Sequence, residues 1–200
     1  MSGTFPTTNF TTLNWNSNVT VRETTSITGK VQRSKTGGQY WSFVLQSPPL
    51  DRADFMSIYS FIVSQNGSFE SFTVVPPVVA STTGTMTGTV TLTNNAGSTV
   101  AVGGSTVKVR STDTGTLKKG DIIKFSNHDK VYMLTSDTTF DGSSTLDLDI
   151  FPPLVNAVSD THTVTYIDVP VKVFFVENQH SYSVGPDLLY TYEIEVREDI

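Results

Sequence analysis

Apolar and polar residues alternate along most of this chain with a period of two. In the closing stretch LLYTYEIEVRE, Tyr190, Tyr192, Ile194 and Val196 fall on one side, and Thr191, Glu193, Glu195 and Arg197 on the other. The pattern predicts a half-buried antiparallel strand. Similar strands are expected in VTVRE (19–23), QYWSFVLQ (39–46), SFESFTVV (68–75) and VPVKVFFVE (169–177). The last is apolar on both faces and so belongs near the centre of a sheet.

One stretch breaks the period. In SPPLDRADFMSIYSFIVSQNGSFESF, residues 47–72, the residues Phe55, Ile58, Tyr59 and Ile62 recur at helical spacing. Pro48-Pro49 leads in, Asp51 is placed to cap the first turn, Asp54 puts a carboxylate at the positive end of the dipole, and Asn66-Gly67 supplies a left-handed stop. A helix over about 51–65 is predicted, packed on a sheet between neighbouring strands.

Two similar strings, VPPVV at 75–79 and FPPLV at 151–155, make stiff extended connectors and read as the legs of an insertion. Between them a Gly/Thr-rich run, STTGTMTGTVTLTNNAG, precedes short strands STVAV, STVKVRS, DIIKF, KVYML and TLDLDI. Turns at Gly103-Gly104, Lys119-Gly120-Asp121 and Asp141-Gly142 separate these strands. The expected fold is mainly β: an antiparallel sandwich or barrel with one helix, formed by 1–78 and 156–200, and an inserted small β-barrel over 79–155.

Composition supports this. Among the 200 residues, 37% are hydrophobic and only 16% charged, as expected where many strands are joined by tight turns. A net charge of −6, with the few cations scattered apart from Lys118-Lys119, argues against a groove that neutralises many phosphates. The absence of cysteine removes disulfides and thiolate metal sites. No apolar run approaches the ~20 residues that span a bilayer, and MSGTFPTTNF lacks the layout of a signal peptide, so synthesis in a cytoplasm is expected. The triplets at Asn9, Asn18 and Asn66 then read as chance matches to a glycosylation signal.

Little here points to chemistry. His128, His162 and His180 are far apart and lack a metal-ligand spacing. The acids of DTTFDGSSTLDLD, Asp137, Asp141, Asp147 and Asp149, do not follow a calcium-loop spacing. Asp147 and Asp149 alternate with leucines as the wet face of a strand. ITGKVQRSKTGG departs from the P-loop pattern and is read as a hairpin loop ending at Gly37-Gly38. No G-x-S-x-G elbow is present. No catalytic residue, cofactor or metal ligand is assigned, and no enzymatic activity is expected. Trp41, alternating with Phe43 and Leu45, reads as core, whereas Trp15 in NFTTLNWNSN is a candidate sugar-stacking residue.

Taken in order, these motifs resemble a family. Gly37, Gly38, Gln39, Trp41 and Phe43, then Pro48, Pro49 and Leu50, then Gln65, Gly67, Phe69, Glu70, Phe72 and Thr73, are similar to a G-G-Q-x-W-x-F strand, a Pro-Pro lead and a Q-x-G-x-F-E-x-F-T return. That order is found in tail structural proteins of tailed bacteriophages, many of them marine or cyanobacterial. The turn Gly115-Thr116-Leu117-Lys118-Lys119-Gly120-Asp121 looks like the start of the small β-barrels inserted in several virion proteins, and the resemblance covers most of the chain. The Thr-rich run 81–99 has no counterpart.

The resemblance implies the ring-forming domain of distal tail proteins, between tube and baseplate or tip: a homo-oligomer, expected to be a six-fold ring in the virion. Its partners would be tube and baseplate or hub proteins, with DNA passing the lumen without specific binding. Glu193 and Glu195 are candidates to face that lumen. The helix's polar face, with Arg52, Asp54, Gln65 and Glu70, is the candidate subunit interface. Two other readings stay open: a tail tube protein, and a carbohydrate-binding module attaching a particle to a host surface through Trp15. A polysaccharide-cleaving enzyme would need a carboxylate pair that the sequence does not offer.

Overall fold

The computed structural model describes residues 3–6, 10–93 and 99–200. Asn9 of the first triplet and Asn94 to Gly97 of the Thr-rich run lie outside the described residues. The protein is mainly β with one helix, and divides into two compact units. One is Phe10–Glu70 with Phe174–Glu198; the other is Ser71–Val173 with the two chain ends.

In the first unit, β1 (Thr12–Thr25) pairs antiparallel with β2 (Val31–Gln46). The far end of β2 pairs with β14 (Tyr190–Glu198), whose first residues pair with the short β13 (Tyr182–Val184). Register aligns the apolar positions in rows: Phe43 lies between Trp15 and Val196, and Leu45 between Leu13 and Ile194. Phe43, Leu45 and Val196 are fully buried, and Trp41 is core as its alternation predicts.

The helix forms where expected, as α1 (Arg52–Ser64). The Asp51 carboxylate accepts the Asp54 amide at 2.9 Å, and Phe55, Ile58 and Ile62 form the buried stripe. Phe55 stacks on Tyr190 at 4.8 Å, tying the helix to β14. Asn66 and Gly67, at φ 56° and 66°, end it in the left-handed region. The Asn178 carboxamide oxygen then holds the turn, accepting from the Ser68 amide at 3.1 Å and hydroxyl at 2.7 Å.

Two local expectations are corrected. ITGKVQRSKTGG is not a loop ending at the paired glycines: the turn is at Ser26–Lys30, with Gly29 at φ 79°, and Gly37-Gly38 lie inside β2 opposite an irregularity after Val19. The exposed ribbon buries no apolar stripe, so the usual strand signal is weak there. SFESFTVV is strand only at β3 (Phe72–Val74), because the turn after α1 continues through Glu70 and leaves Phe69 83% exposed.

In the second unit, six strands close into a barrel in the order β10 (Leu146–Phe151), β5 (Thr106–Arg110), β4 (Val90–Leu92), β11 (Thr163–Thr165), β7 (Ile122–Phe125) and β8 (Val131–Leu134). Closure leaves these strands no open edge. Beside them, β6 (Thr114–Leu117) pairs with β9 (Thr138–Asp141). STVAV forms no strand over its described residues, 99–102: Val100 makes one bridge, to Val158, and packs against the barrel core. Leu154 and Val158 are buried in that core, so the chain stays in the barrel after Pro152-Pro153 and through β11. β12 (Val171–Phe175) begins in this unit, pairing with β3, and alternates buried Val171, Val173 and Phe175 with half-buried Lys172 and Phe174.

Candidate functional site

The lysine-glycine turn of the barrel is built around one carboxylate. Asp121 is 3% exposed and accepts from the Lys118 amide at 2.8 Å, the Thr83 amide and hydroxyl at 2.9 Å each, and the Thr82 hydroxyl. Burial pushes this carboxyl up, but the four donors together hold it below the usual range. Gly120, at φ 93°, makes the turn, and the exposed Asp137 accepts from the Lys119 amide at 2.9 Å and the Lys118 ammonium at 3.1 Å.

Thr82 and Thr83 begin a strap that crosses β6. A Cβ on Gly84 would clash with the Thr116 carbonyl oxygen, and one on Gly115 would lie 2.7 Å from Met86 Cα. The Gly/Thr texture of STTGTMTGT is therefore a close-packing requirement. Met86 enters the barrel core, and Tyr166 donates its hydroxyl to the Gly88 carbonyl.

Histidines and acids elsewhere have structural partners. His128 bridges the Asn127 side-chain carboxamide oxygen and the Tyr132 hydroxyl at 2.7 Å each, and burial lowers its pKa to about 4. Because the Tyr132 hydroxyl also accepts the Val155 amide at 3.1 Å, it is placed to donate to a neutral imidazole Nε2. His162 accepts the Ser159 amide, and His180 packs 4.4 Å from the Phe175 ring, where burial lowers its pKa. Asp141 caps its own turn through the Ser143 and Ser144 amides, Asp147 pairs with Lys108 at 2.8 Å, and Asp149 accepts from Thr106 and Ser136. Among the described residues no group of three or more His, Asp or Glu is arranged to hold a metal ion, and no helix is long and apolar enough to cross a membrane.

In the first unit, Arg52 and Asp54 are exposed on the first turn of α1, and Glu70 is half-buried at the end of the following turn. Gln65 is 1% exposed; its amide nitrogen donates to the Phe61 carbonyl and the Ser64 hydroxyl. The structure thus separates Gln65 from the exposed pair. Trp15 is half-buried, stacked on Phe43 at 4.9 Å with 12° between planes, so one face of the indole is already covered. Alternation did not disclose Glu198: it continues the buried side of β14, is 2% exposed, and accepts the Trp41 amide at 3.1 Å.

The outer half of the β1–β2 ribbon is an exposed feature of this unit. Every described side chain from Val19 to Gly38 is exposed, including Val21 at 53% and Ile27 at the tip. Cross-strand pairing puts Val21, Lys35, Glu23, Arg33, Thr25 and Val31 on one face, with Arg33 and Glu23 paired at 3.1 Å.

Residues 79–167 match the family model described as distal tail protein pb9, B domain. The match covers somewhat under half of the chain and coincides with the strap and the closed barrel, from Val79 to the residue after Tyr166. It supports a structural role in a phage tail, and with it a place in the virion and contacts with other tail proteins. No curated protein matches the chain.

Proposed function

We propose that this protein is a structural component of a bacteriophage tail, a distal tail or baseplate-hub protein that assembles as a ring of identical copies. The observation that carries the reading is the coincidence between the matched segment and the closed barrel. The remainder, at the two ends of the chain, is the ring-forming body, and the barrel is an insertion into it. On this reading the insertion extends past the diproline, because β11 is a barrel strand.

A head-to-tail interface with rotational closure turns one pair of complementary patches into a ring, and six-fold closure is the expected number. The neighbours are tube and baseplate components, and DNA passes the lumen without specific binding. The attribution to a marine or cyanobacterial phage rests on motif order alone. A tail tube protein is the nearest alternative. The sugar-binding alternative is weakened by the packing of Trp15 against Phe43.

Light scattering coupled to size-exclusion chromatography, with negative-stain imaging, tests the proposal. Symmetric rings of the 21.8 kDa chain are expected. A strict monomer at high concentration, with the chain missing from purified tails, would overturn it.

A further inference from the structure

We propose that residues 3–5 form an exchangeable edge strand, and that the edge of β3 they cover takes the same segment from a second copy of this chain. The inference goes beyond the ring reading, since it needs only two copies.

The seat consists of two backbone bonds and one side chain. Thr4 bridges Thr73 in parallel: the Thr73 amide donates to the Gly3 carbonyl and the Phe5 amide donates to the Thr73 carbonyl, both at 2.8 Å. Phe5 is 4% exposed, with its ring 6.1 Å from that of Phe72, whereas Gly3 and Thr4 are exposed. A groove of about 250 Å³, lined by Gly3, Thr4, Ser71, Phe72, Thr73 and Lys172, follows the seam, so only Phe5 must be withdrawn from the core for the segment to leave. On its other side β3 is paired with β12. Departure of residues 3–5 would therefore leave the amide and carbonyl of Thr73 open at a sheet edge, ready to pair with another extended chain.

Three features identify the occupant. The seated segment shows which sequence fits this edge, and a second copy carries that sequence by identity. Gly3 to Pro6 group with the unit that holds β3, whereas β1, into which the chain leads, belongs to the other unit. The segment can thus change seats without breaking the pairing of β1, β2 and β14. Finally, the parallel register turns the backbone of Thr4 and Pro6 away from β3, and Pro6 has no amide to offer there. The outer edge is blunted, so a further strand is not added outside the segment and contact forms by exchange. The bonds made in a second copy are the same as those made within one chain, which makes exchange a low-cost route to association.

The chain has no cysteine, so introduced thiols report this contact alone. Full-length Thr4→Cys and Thr73→Cys chains, distinguished by tags, are co-expressed, purified together and oxidised, with folding checked by circular dichroism and oligomeric state by light scattering. A disulfide between the two chains is expected, and adding Phe5→Ala to the Thr4→Cys chain is expected to lower its yield about tenfold or more. The double variant, with both cysteines in one chain, is the control for adjacency, and its failure to form any disulfide overturns the seat itself. If the double variant closes only within one chain and the mixed single variants give no inter-chain product, the proposal is overturned, while rings seen by light scattering leave the ring reading standing. If the inter-chain product forms but assembly stops at dimers, the ring reading is overturned and the exchange stands. An unchanged yield with Phe5→Ala overturns the exchange as drawn, because the contact then does not use this anchor. A benzophenone attached at Thr73→Cys that captures a different protein in purified tails gives the edge another occupant, and the proposal fails.

Discussion

Asp121 accepts both the amide and the hydroxyl of Thr83 at 2.9 Å, joining the lysine-glycine turn of the barrel to the strap that precedes its first strand. The carboxylate also serves the Lys118 amide, so its removal would orphan two backbone donors in a site of 3% exposure. Asp121→Ala is expected to lower the free energy of unfolding by about 3 kcal/mol, since these are charge-assisted bonds to buried groups. Urea titration followed by tryptophan-independent far-UV dichroism measures this. Asp141→Ala, at a solvated turn, serves as the control and is expected to leave the midpoint nearly unchanged.

Glycine contacts in the strap lead to a second expectation. Gly84 faces the Thr116 carbonyl oxygen so closely that an added methyl must displace backbone, and Gly84→Ala is expected to destabilise by about 2–4 kcal/mol. Gly38 has an ordinary backbone conformation and nothing within 4 Å of a built Cβ, so Gly38→Ala should be neutral or stabilising by about 0.5 kcal/mol. Melting temperatures of the two variants check the contrast.

These cases show what the sequence made legible. Alternation in β14 and the 3.6 period of α1 are signals of burial, and both elements formed as read, down to the Asp51 cap and the Asn66-Gly67 stop. The outgoing strand of the outer ribbon was legible at VTVRE, but its turn and the start of its return were hidden because neither face is buried, leaving only Gly29 to mark the turn. β6 and β9 are four residues each, too short for a period to show, and β9 was obscured by Asp141 at its end and Asp137 just before it. The end of the barrel was masked by Pro152-Pro153, which resembled a connector although the chain beyond it returns Leu154, Val158 and Val164 to the core. Of the candidate interface residues, Arg52 and Asp54 are exposed whereas Gln65 is buried, and the sequence does not separate them, because a glutamine folded back on its own helix end has the same spacing as one facing water.

Acid should weaken the barrel unit before the carboxylates titrate. An unfolded imidazole takes up a proton near pH 6.5, whereas His128 in the fold resists until about 4, mainly through burial. Between those values the unfolded chain binds the extra proton, so stability is full above pH 6.5 and declines as pH falls towards 4. His128 is partly in contact with water, and its share of the loss is expected to be about 1 kcal/mol. Asp121 and Asp129, both held below the usual carboxylate range, add their losses only at lower pH. Urea midpoints at several pH values should show the first decline, and His128→Gln should flatten it. An unchanged slope in that variant would remove His128 from the account.

Substitutions on the helix separate an interface effect from a folding effect. Arg52 is exposed at the first position of α1, where a cation opposes the dipole, so Arg52→Glu is expected to leave the monomer fold intact and stabilise it by about 0.3–1 kcal/mol. Gln65→Arg places a charge at a position of 1% exposure and is expected to destabilise by about 3 kcal/mol whether or not copies assemble. Loss of assembly in Gln65→Arg therefore reports folding. Loss of assembly in Arg52→Glu, with an unchanged or raised melting temperature, would place the first turn of α1 in the subunit contact. Unchanged assembly in that variant would take Arg52 out of the contact.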